Sequence, residues 1–432
     1  MAHINALPSE LLVEMFESIL DDKSVFQATT YTQIFRIIQV CTTWSNVVLS
    51  TSKFWSSISC ALLRPQGRWT QISESDILSR NRLRIEVLLE RSRGSPIDVF
   101  VGCSSDDKSL NAVADMFNKM ILPHASRLRQ LKVIISIMGP IMTIFPIKCP
   151  LPMLESISFE TTGNAVVRSG ALRPISFFEA SCSINIKSLI TKTPIPTSFE
   201  GINLLSLLEF SESWQIWPDH GPIIAPLLES AVHLRRLSIP DLDEVSLQNH
   251  LHFPLARLEY LSIRYQHLVY FHAAPNLTML ELLYRGITFP TGPQLRPQDF
   301  PELRCLIIQS IGRHNGFPIS DLVEIIRRSP SLRVLEIKGI NKVDALSLLS
   351  LMEEAPVLSL LRLLEISTYS DANTSHSFID SVTSVVHSLH QSRPSIQVVF
   401  DGVRVDGLAD IIKDRNVYMK ILREVDRLRR GE

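Results

Sequence analysis

A short pattern of the form Leu-x-x-Leu-x-(apolar) recurs through most of the 432-residue chain. Its last two apolar positions alternate with other residues, which is typical of a β-strand with one buried face. Eight clear copies begin at Leu154, Leu205, Leu234, Leu258, Leu277, Leu303, Leu332 and Leu361. In four copies a proline lies two residues before the first leucine: Pro152, Pro275, Pro301 and Pro330. Weaker copies lie at Ile186-Leu189 and at Ile396. The pattern predicts a series of short strands.

The copies repeat at uneven intervals that leave room for helices. The step is 26 residues from Leu277 to Leu303 and 29 residues from Leu303 to Leu332. Amphipathic segments occupy the longer intervals, at residues 320–328, 342–354 and 375–390. A single strand with its helix cannot bury its own apolar face, so neighbouring units must stack into one core.

This arrangement resembles the leucine-rich repeat, although the family's regular asparagine or cysteine after each strand is mostly missing. The resemblance implies an α/β fold class, with an irregular leucine-rich-repeat solenoid of strand plus helix per repeat over residues 74–406. An ordinary α/β domain with leucine-rich strands is the alternative. The first predicted helix of this region, residues 75–93, ends at Gly94, as many helices end at a glycine. Residues 59–73 are predicted to be a connector, and residues 407–432 a C-terminal capping helix.

The first sixty residues carry a different, helical periodicity. Apolar side chains recur at three- and four-residue steps, at Leu11, Leu12, Met15, Phe16, Ile19 and Leu20. A second stripe starts at Ile34 and continues through Trp44 to Val48, and Phe54-Trp55 follows it. Residues 4–58 therefore predict three short helices, which are too small to hide this much apolar surface by themselves. A partner-binding module and an N-terminal helical cap both fit this periodicity.

The N-terminal stretch resembles an F-box. The resemblance rests on Leu7-Pro8-x-Glu10-Leu11, then Val40-Cys41-x-x-Trp44, then Phe54-Trp55, in that order. One departure is the link from Asp21 to Gln33, which is longer than the compact family loop. The resemblance implies an F-box domain over residues 4–58 that Trp55 helps to pack. It also implies contact with an adaptor protein. The residues that contribute to or support this contact would be Leu7, Pro8, Leu11, Met15, Ile19, Val40 and Trp44.

The F-box resemblance also implies a function. Proteins of this family bind a small Skp-type adaptor, which links them to a cullin and its RING subunit. The expected function is therefore that of a substrate-recognition subunit of a Skp-cullin-F-box type E3 ubiquitin ligase, which holds a protein substrate and performs no bond chemistry. Two alternatives are an F-box scaffold that acts outside a ligase and an enzyme with a dispersed site.

Composition excludes several other classes of protein. The formal net charge of −1 gives no electrostatic basis for general nucleic-acid or anionic-membrane binding. Six scattered cysteines and a start without signal-peptide features lead us to expect a cytoplasmic or nuclear protein. We recognise no phosphate-binding loop, nucleophile elbow or zinc motif, so we expect no catalytic residue, cofactor or metal. The close pair His250 and His252 has no further ligand at metal-binding spacing.

A substrate surface follows from the alternation within each strand. If the two later apolar residues of a copy point into the core, the residues before, between and after them face the other way. These other positions mix aromatic, aliphatic and charged side chains, which suits a protein surface better than nucleic acid. The predicted substrate-facing residues are Tyr260, Arg264, Glu281, Glu336 and Lys338.

Overall fold

A computed structural model gives the structure of the protein over the following residues. They are 7–20, 29–62, 74–103, 107–135, 147–161, 175–192, 197–212, 227–239, 255–271, 274–284, 300–310, 319–354, 360–368, 384–389, 391, 396–400 and 403–404. The predicted capping helix at residues 407–432 lies outside this described part, and so do most of the predicted connector, His250 and His252.

The chain divides into two compact units, Met1–Leu207 and Leu208–Glu432. The three predicted N-terminal helices are present in the first unit. The helices of the first unit are α1 (Ser9–Leu20), α2 (Thr29–Ile38), α3 (Thr42–Ser50), α4 (Glu74–Ser92) and α5 (Asp107–Met116). A 3-10 turn at Ser52–Trp55 follows α3.

The strands of the first unit pair in chain order and in parallel. They are β1 (Ser57–Leu62), β2 (Ile97–Cys103), β3 (Leu128–Ile135), β4 (Ser156–Thr161) and β6 (Ser188–Lys192). Two further short strands, β5 (Ile175–Ser176) and β7 (Thr197–Ser198), pair separately. The predicted connector thus begins inside a strand, since residues 59–62 belong to β1.

Nine strands lie in the described residues of the second unit, and most of them continue the same parallel pairing. They are β8 (Glu209–Glu212), β9 (Arg236–Ile239), β10 (Tyr260–Arg264), β11 (Met279–Tyr284), β12 (Cys305–Ser310), β13 (Val334–Ile340), β14 (Leu363–Thr368), β15 (Gln397–Phe400) and β16 (Val403–Arg404). Each strand from β8 to β15 pairs in parallel with the next, and β16 alone runs antiparallel, against β15. The predicted α/β class is confirmed.

The leucine pattern sets the register between these strands. The second leucines of five consecutive copies lie opposite one another and are fully buried: Leu261, Leu280, Leu306, Leu335 and Leu364. The next apolar position forms a parallel buried row two residues further along. Every copy of the pattern ends in a strand, as the sequence predicts.

Helices lie between strands where the sequence places amphipathic segments. Helix α6 (Ile319–Arg327) covers the predicted segment 320–328, and α7 (Lys342–Glu354) covers 342–354. In α6 the side chains of Leu322, Ile325 and Ile326 are buried, at the three- and four-residue steps of one helix face. The predicted segment 375–390 is described only from residue 384, where it is helical to residue 389.

The end of α4 differs from the sequence prediction. Arg93, with φ of 47°, adopts the left-handed conformation that ends the helix, whereas Gly94 does not lie in that region. The left-handed conformation is costly for any residue with a Cβ atom, and glycine is the usual occupant. Ala at position 94 would meet no atom within 4 Å. The glycine that the sequence offers is therefore one residue later than the backbone requires.

Single substitutions at Arg93 and Gly94 test which of these two residues adopts the left-handed conformation. We expect Arg93→Gly to raise the free energy of unfolding by about 0.5–1 kcal/mol, because the relief of left-handed strain exceeds the extra entropy of the unfolded chain. Gly94→Ala should leave it within about 0.5 kcal/mol of the parent value. Thermal unfolding followed by circular dichroism measures both changes, and a loss of stability in Gly94→Ala alone would contradict the assignment.

Candidate functional site

Helix α1 carries two apolar stripes with opposite environments. Leu12 and Phe16, one turn apart, are fully buried. Leu11 and Ile19 are 47% and 44% exposed, and Met15 between them is half-buried. Residues four apart lie on the same helix face, so the second set forms a line along the outside of α1. We call Leu11, Met15 and Ile19 the outer stripe.

The inner stripe of α1 packs into a cluster of aromatic rings. The ring of Phe16 meets Trp44 edge-to-face at a centroid distance of 4.9 Å and Phe54 at 6.2 Å. Such edge-to-face pairs add to the stabilisation that burial alone gives. The inner residues of α1 thereby fix the orientation of the helix, which determines where the outer stripe points.

Trp55 joins these helices to the rest of the first unit. Its side chain is buried, its indole Nε1 donates a hydrogen bond of 2.9 Å to the carbonyl of Val48, and the guanidinium of Arg91 lies 4.6 Å from its ring centre. Since Val48 belongs to α3 and Arg91 to α4, the indole of Trp55 contacts both helices. The prediction that Trp55 packs the N-terminal module agrees with this burial.

The turn between α2 and α3 presents a second apolar surface. Val40 is 57% exposed, and Phe35 on α2 is also exposed. Leu7 and Pro8, which precede α1, are exposed as well. Of the seven predicted adaptor-contacting residues, five are thus exposed, while Met15 and Trp44 are half-buried. The sequence prediction did not include Phe35, although its place in the second apolar stripe was apparent.

The predicted substrate surface of the second unit differs from the expectation of an exposed face. Five positions that alternation assigns to that face form a buried apolar cluster: Met279, Cys305, Ile307, Val334 and Leu363. The prediction of exposure was wrong for these positions because strands in parallel sheets are commonly buried on both faces. The continuous apolar run Cys305-Leu306-Ile307-Ile308 is the signal that indicates this.

Two of the five predicted substrate-facing residues are directly joined beside this cluster. The hydroxyl of Tyr260 donates a hydrogen bond of 2.7 Å to Oε2 of Glu281. The guanidinium of Arg236 lies 4.8 Å from the Tyr260 ring centre and donates to Oε1 of Glu209 at 3.2 Å. Burial, together with the charge of Glu281, raises the pKa of Tyr260, so its hydroxyl keeps its proton. These four residues form a polar chain across strands β8 to β11.

The remaining predicted residues lie elsewhere on the strands. Glu336 is only 8% exposed and forms an ion pair with Lys338, two residues along β13. Arg264 is half-buried at the end of β10, where its charge acts on His267. Glu336 therefore does not present the exposed carboxylate that the sequence predicts, and contact of the five residues with a substrate stays a prediction.

Burial shifts the pKa of several ionisable side chains in the two units. Burial raises the pKa of Glu212 to about 7 and that of Cys60 to about 12. Burial and the nearby charge of Arg264 lower the pKa of His267 to about 3. Within the described residues, no three histidine, cysteine or acidic side chains lie together as a metal site would require.

Comparisons with known proteins give no family for this chain. No protein-family model matches it, and no curated protein matches it significantly.

Across the part of the chain that the structure covers, no helix is both long and apolar enough to cross a membrane.

Trp44 and Trp55 allow a matched test of how the N-terminal helices pack. Trp55→Phe should lower the free energy of unfolding by about 2–3 kcal/mol, because it leaves the Val48 carbonyl unpaired and removes buried volume. The indole Nε1 of Trp44 is buried without a hydrogen-bond partner in the described chain. Trp44→Phe should therefore cost less than about 1 kcal/mol. Urea unfolding compares the two variants, and a larger loss in Trp44→Phe would contradict the packing described.

The buried carboxyl of Glu212 predicts a pH-dependent stability. Since folding raises its pKa from 4.5 to about 7, its contribution is fully present below pH 4.5 and is lost as the pH rises through 7. Glu212→Gln should thus gain up to roughly 3 kcal/mol over the parent at ~pH 8 and almost nothing near ~pH 4.5. Glu209→Gln, on the same strand but ion-paired with Arg236, should show no such gain. Urea unfolding at both pH values decides, and equal gains would contradict the burial argument.

Proposed function

We propose that this chain is a substrate-recognition subunit of a Skp-cullin-F-box type E3 ubiquitin ligase, with the N-terminal helices as its adaptor-binding surface. The observation that carries the proposal is the outer stripe of α1. Its end residues Leu11 and Ile19 are exposed and Met15 is half-buried, while the inner stripe already fills the core beneath, so the fold of the unit buries neither Leu11 nor Ile19. The motif Leu7-Pro8-x-Glu10-Leu11 that suggested an F-box leads directly into this stripe.

A line of apolar side chains at four-residue spacing is a familiar form of protein recognition. A helix that presents such a line can lie against an apolar surface of a partner, which removes the exposed area from water. Burial of apolar surface contributes roughly 25 cal/mol per Å². Val40 and Phe35 supply further exposed apolar area in the same group of three helices. Together these residues offer more exposed apolar surface than isolated surface residues would.

The repeated strands support the other part of the proposal, which is that the chain recognises a protein substrate. We infer that they form an irregular leucine-rich-repeat solenoid, in which each copy contributes one strand to a parallel array within its own unit. Such an array displays side chains of successive copies in rows, and extended rows suit the recognition of a protein substrate. The expected role needs no catalytic residues in this chain, because the partner subunits would perform the ubiquitin transfer.

Removal of the outer stripe tests adaptor binding. The full-length chain should co-purify with a Skp-type adaptor, and Leu11→Ala with Ile19→Ala should weaken that binding by about tenfold or more, since truncation of buried interface anchors is costly. Leu83→Ala is the matched control, because Leu83 is 64% exposed on α4 in the same unit but lies outside the stripe. Biolayer interferometry with immobilised adaptor measures all three proteins.

The outcomes separate the proposed function from its alternatives. Recruitment of a cullin through the adaptor supports the ligase role, whereas adaptor binding without the cullin indicates a scaffold outside a ligase. Absence of adaptor binding by the parent chain refutes the proposal altogether. An equal loss of binding in the Leu83→Ala control would show that the outer stripe is not the contact surface.

A further inference from the structure

The position just before each strand from β9 to β14 belongs to a continuous ladder along the second unit. From the second residue onward, the backbone N–H of each ladder residue donates a hydrogen bond of 2.8 or 2.9 Å to the carbonyl of the ladder residue before it. The residues at these successive positions are Arg235, Glu259, Thr278, Arg304, Arg333 and Arg362. Their side chains are therefore held one strand apart, at about 4.8 Å spacing.

The first part of this ladder is balanced in charge. The guanidinium of Arg235 lies 3.6 Å from a carboxylate oxygen of Glu259 on the next position. The first unit shows the same arrangement, since Lys187 and Glu155 are joined by a backbone hydrogen bond and by an ion pair of 2.7 Å. Oppositely charged neighbours stabilise a sheet, and like charges destabilise it.

The last three positions break this rule with three adjacent arginines. Arg304, Arg333 and Arg362, which we call the arginine ladder, are all exposed. Arg304 lies 3.8 Å from Glu302, but no carboxylate of the described residues forms an ion pair with Arg333 or Arg362. The arginine ladder thus concentrates positive charge along a short line, although the net charge of the chain is −1.

The chemistry of the arginine ladder specifies the kind of partner. The planar guanidinium group binds carboxylates in a two-pronged geometry, and a row of such groups suits a row of acids. Leu360, two residues before Arg362, is 50% exposed, so an apolar side chain adjoins the charge. The positive line spans only about 10 Å, which is short for the phosphate tracking that nucleic-acid binding requires.

We propose that the arginine ladder binds an extended acidic segment of a partner protein. An extended segment has side chains of one face about 6.6–6.8 Å apart, so a few acids can reach the three guanidinium groups. The bound carboxylates would relieve the repulsion between neighbouring arginines. This site goes beyond the proposed adaptor contact and does not depend on it, because all three arginines belong to the second unit.

A direct binding measurement tests the arginine ladder. The probe is a short fluorescein-labelled peptide of glutamate, serine and leucine, compared with the same peptide in which glutamine replaces each glutamate. Fluorescence anisotropy with the full-length chain at low salt should show binding of the glutamate peptide alone. Arg333→Gln with Arg362→Gln should lower its affinity about five- to tenfold, in line with the loss of two exposed ion pairs.

The matched control is Arg235→Gln, which removes an arginine from the same ladder where its charge is already paired. It should leave the affinity for the glutamate peptide unchanged. The proposal is overturned if both peptides bind equally, if the control loses as much affinity, or if oligothymidylate binds more tightly than the glutamate peptide. If the double variant changes thermal unfolding, each single variant must lower the affinity by itself, and failure to do so also overturns the proposal.

Discussion

The in-register pairing of parallel strands is the constraint on which the second unit depends. Because the second leucine of one copy lies opposite the second leucine of the next, every other position of the pattern is aligned as well. A property of one sequence position becomes a row along the sheet. The buried leucine row, the apolar cluster on the other face and the arginine ladder at the strand starts are three such rows, and each inherits its geometry from the same backbone hydrogen bonds.

In the N-terminal helices, too, the position of a residue in a regular period determines which surface it joins. Helix α1 has a 3.6-residue period, so two apolar lines can run along it without meeting. Phe16 commits one line to the aromatic core through Trp44 and Phe54. The other line, which includes Leu11 and Ile19, is then held rigidly outward. A surface fixed by its own core in this way loses little conformational entropy when a partner covers it.

Sequence periodicity predicted the elements well, because strands and helices follow from local alternation. It located every strand that ends a leucine copy and both α6 and α7. It did not predict that Arg93 rather than Gly94 adopts the left-handed conformation. The residue at which a helix ends depends on contacts of the chain beyond the helix, and periodicity within the helix does not show these contacts. It also assigned Val334 and Leu363 to an exposed face, since alternation within one strand carries no information on what covers that strand. For the N-terminal residues the period showed which were apolar, but only the structure separates Leu11 from Leu12.

The two surfaces of the second unit differ in what a partner would have to displace. The hydroxyl of Tyr260 is already bonded to Glu281, Arg236 is bonded to Glu209, and Glu336 is paired with Lys338. A partner that engages these groups must first break internal hydrogen bonds, and the group left behind then loses its own partner at a cost of about 1–3 kcal/mol. Arg333 and Arg362 have no such ion pair among the described residues, so a carboxylate that binds them breaks no ion pair within this part of the chain. Partner contact at the strand starts is therefore favoured over contact at the strand face.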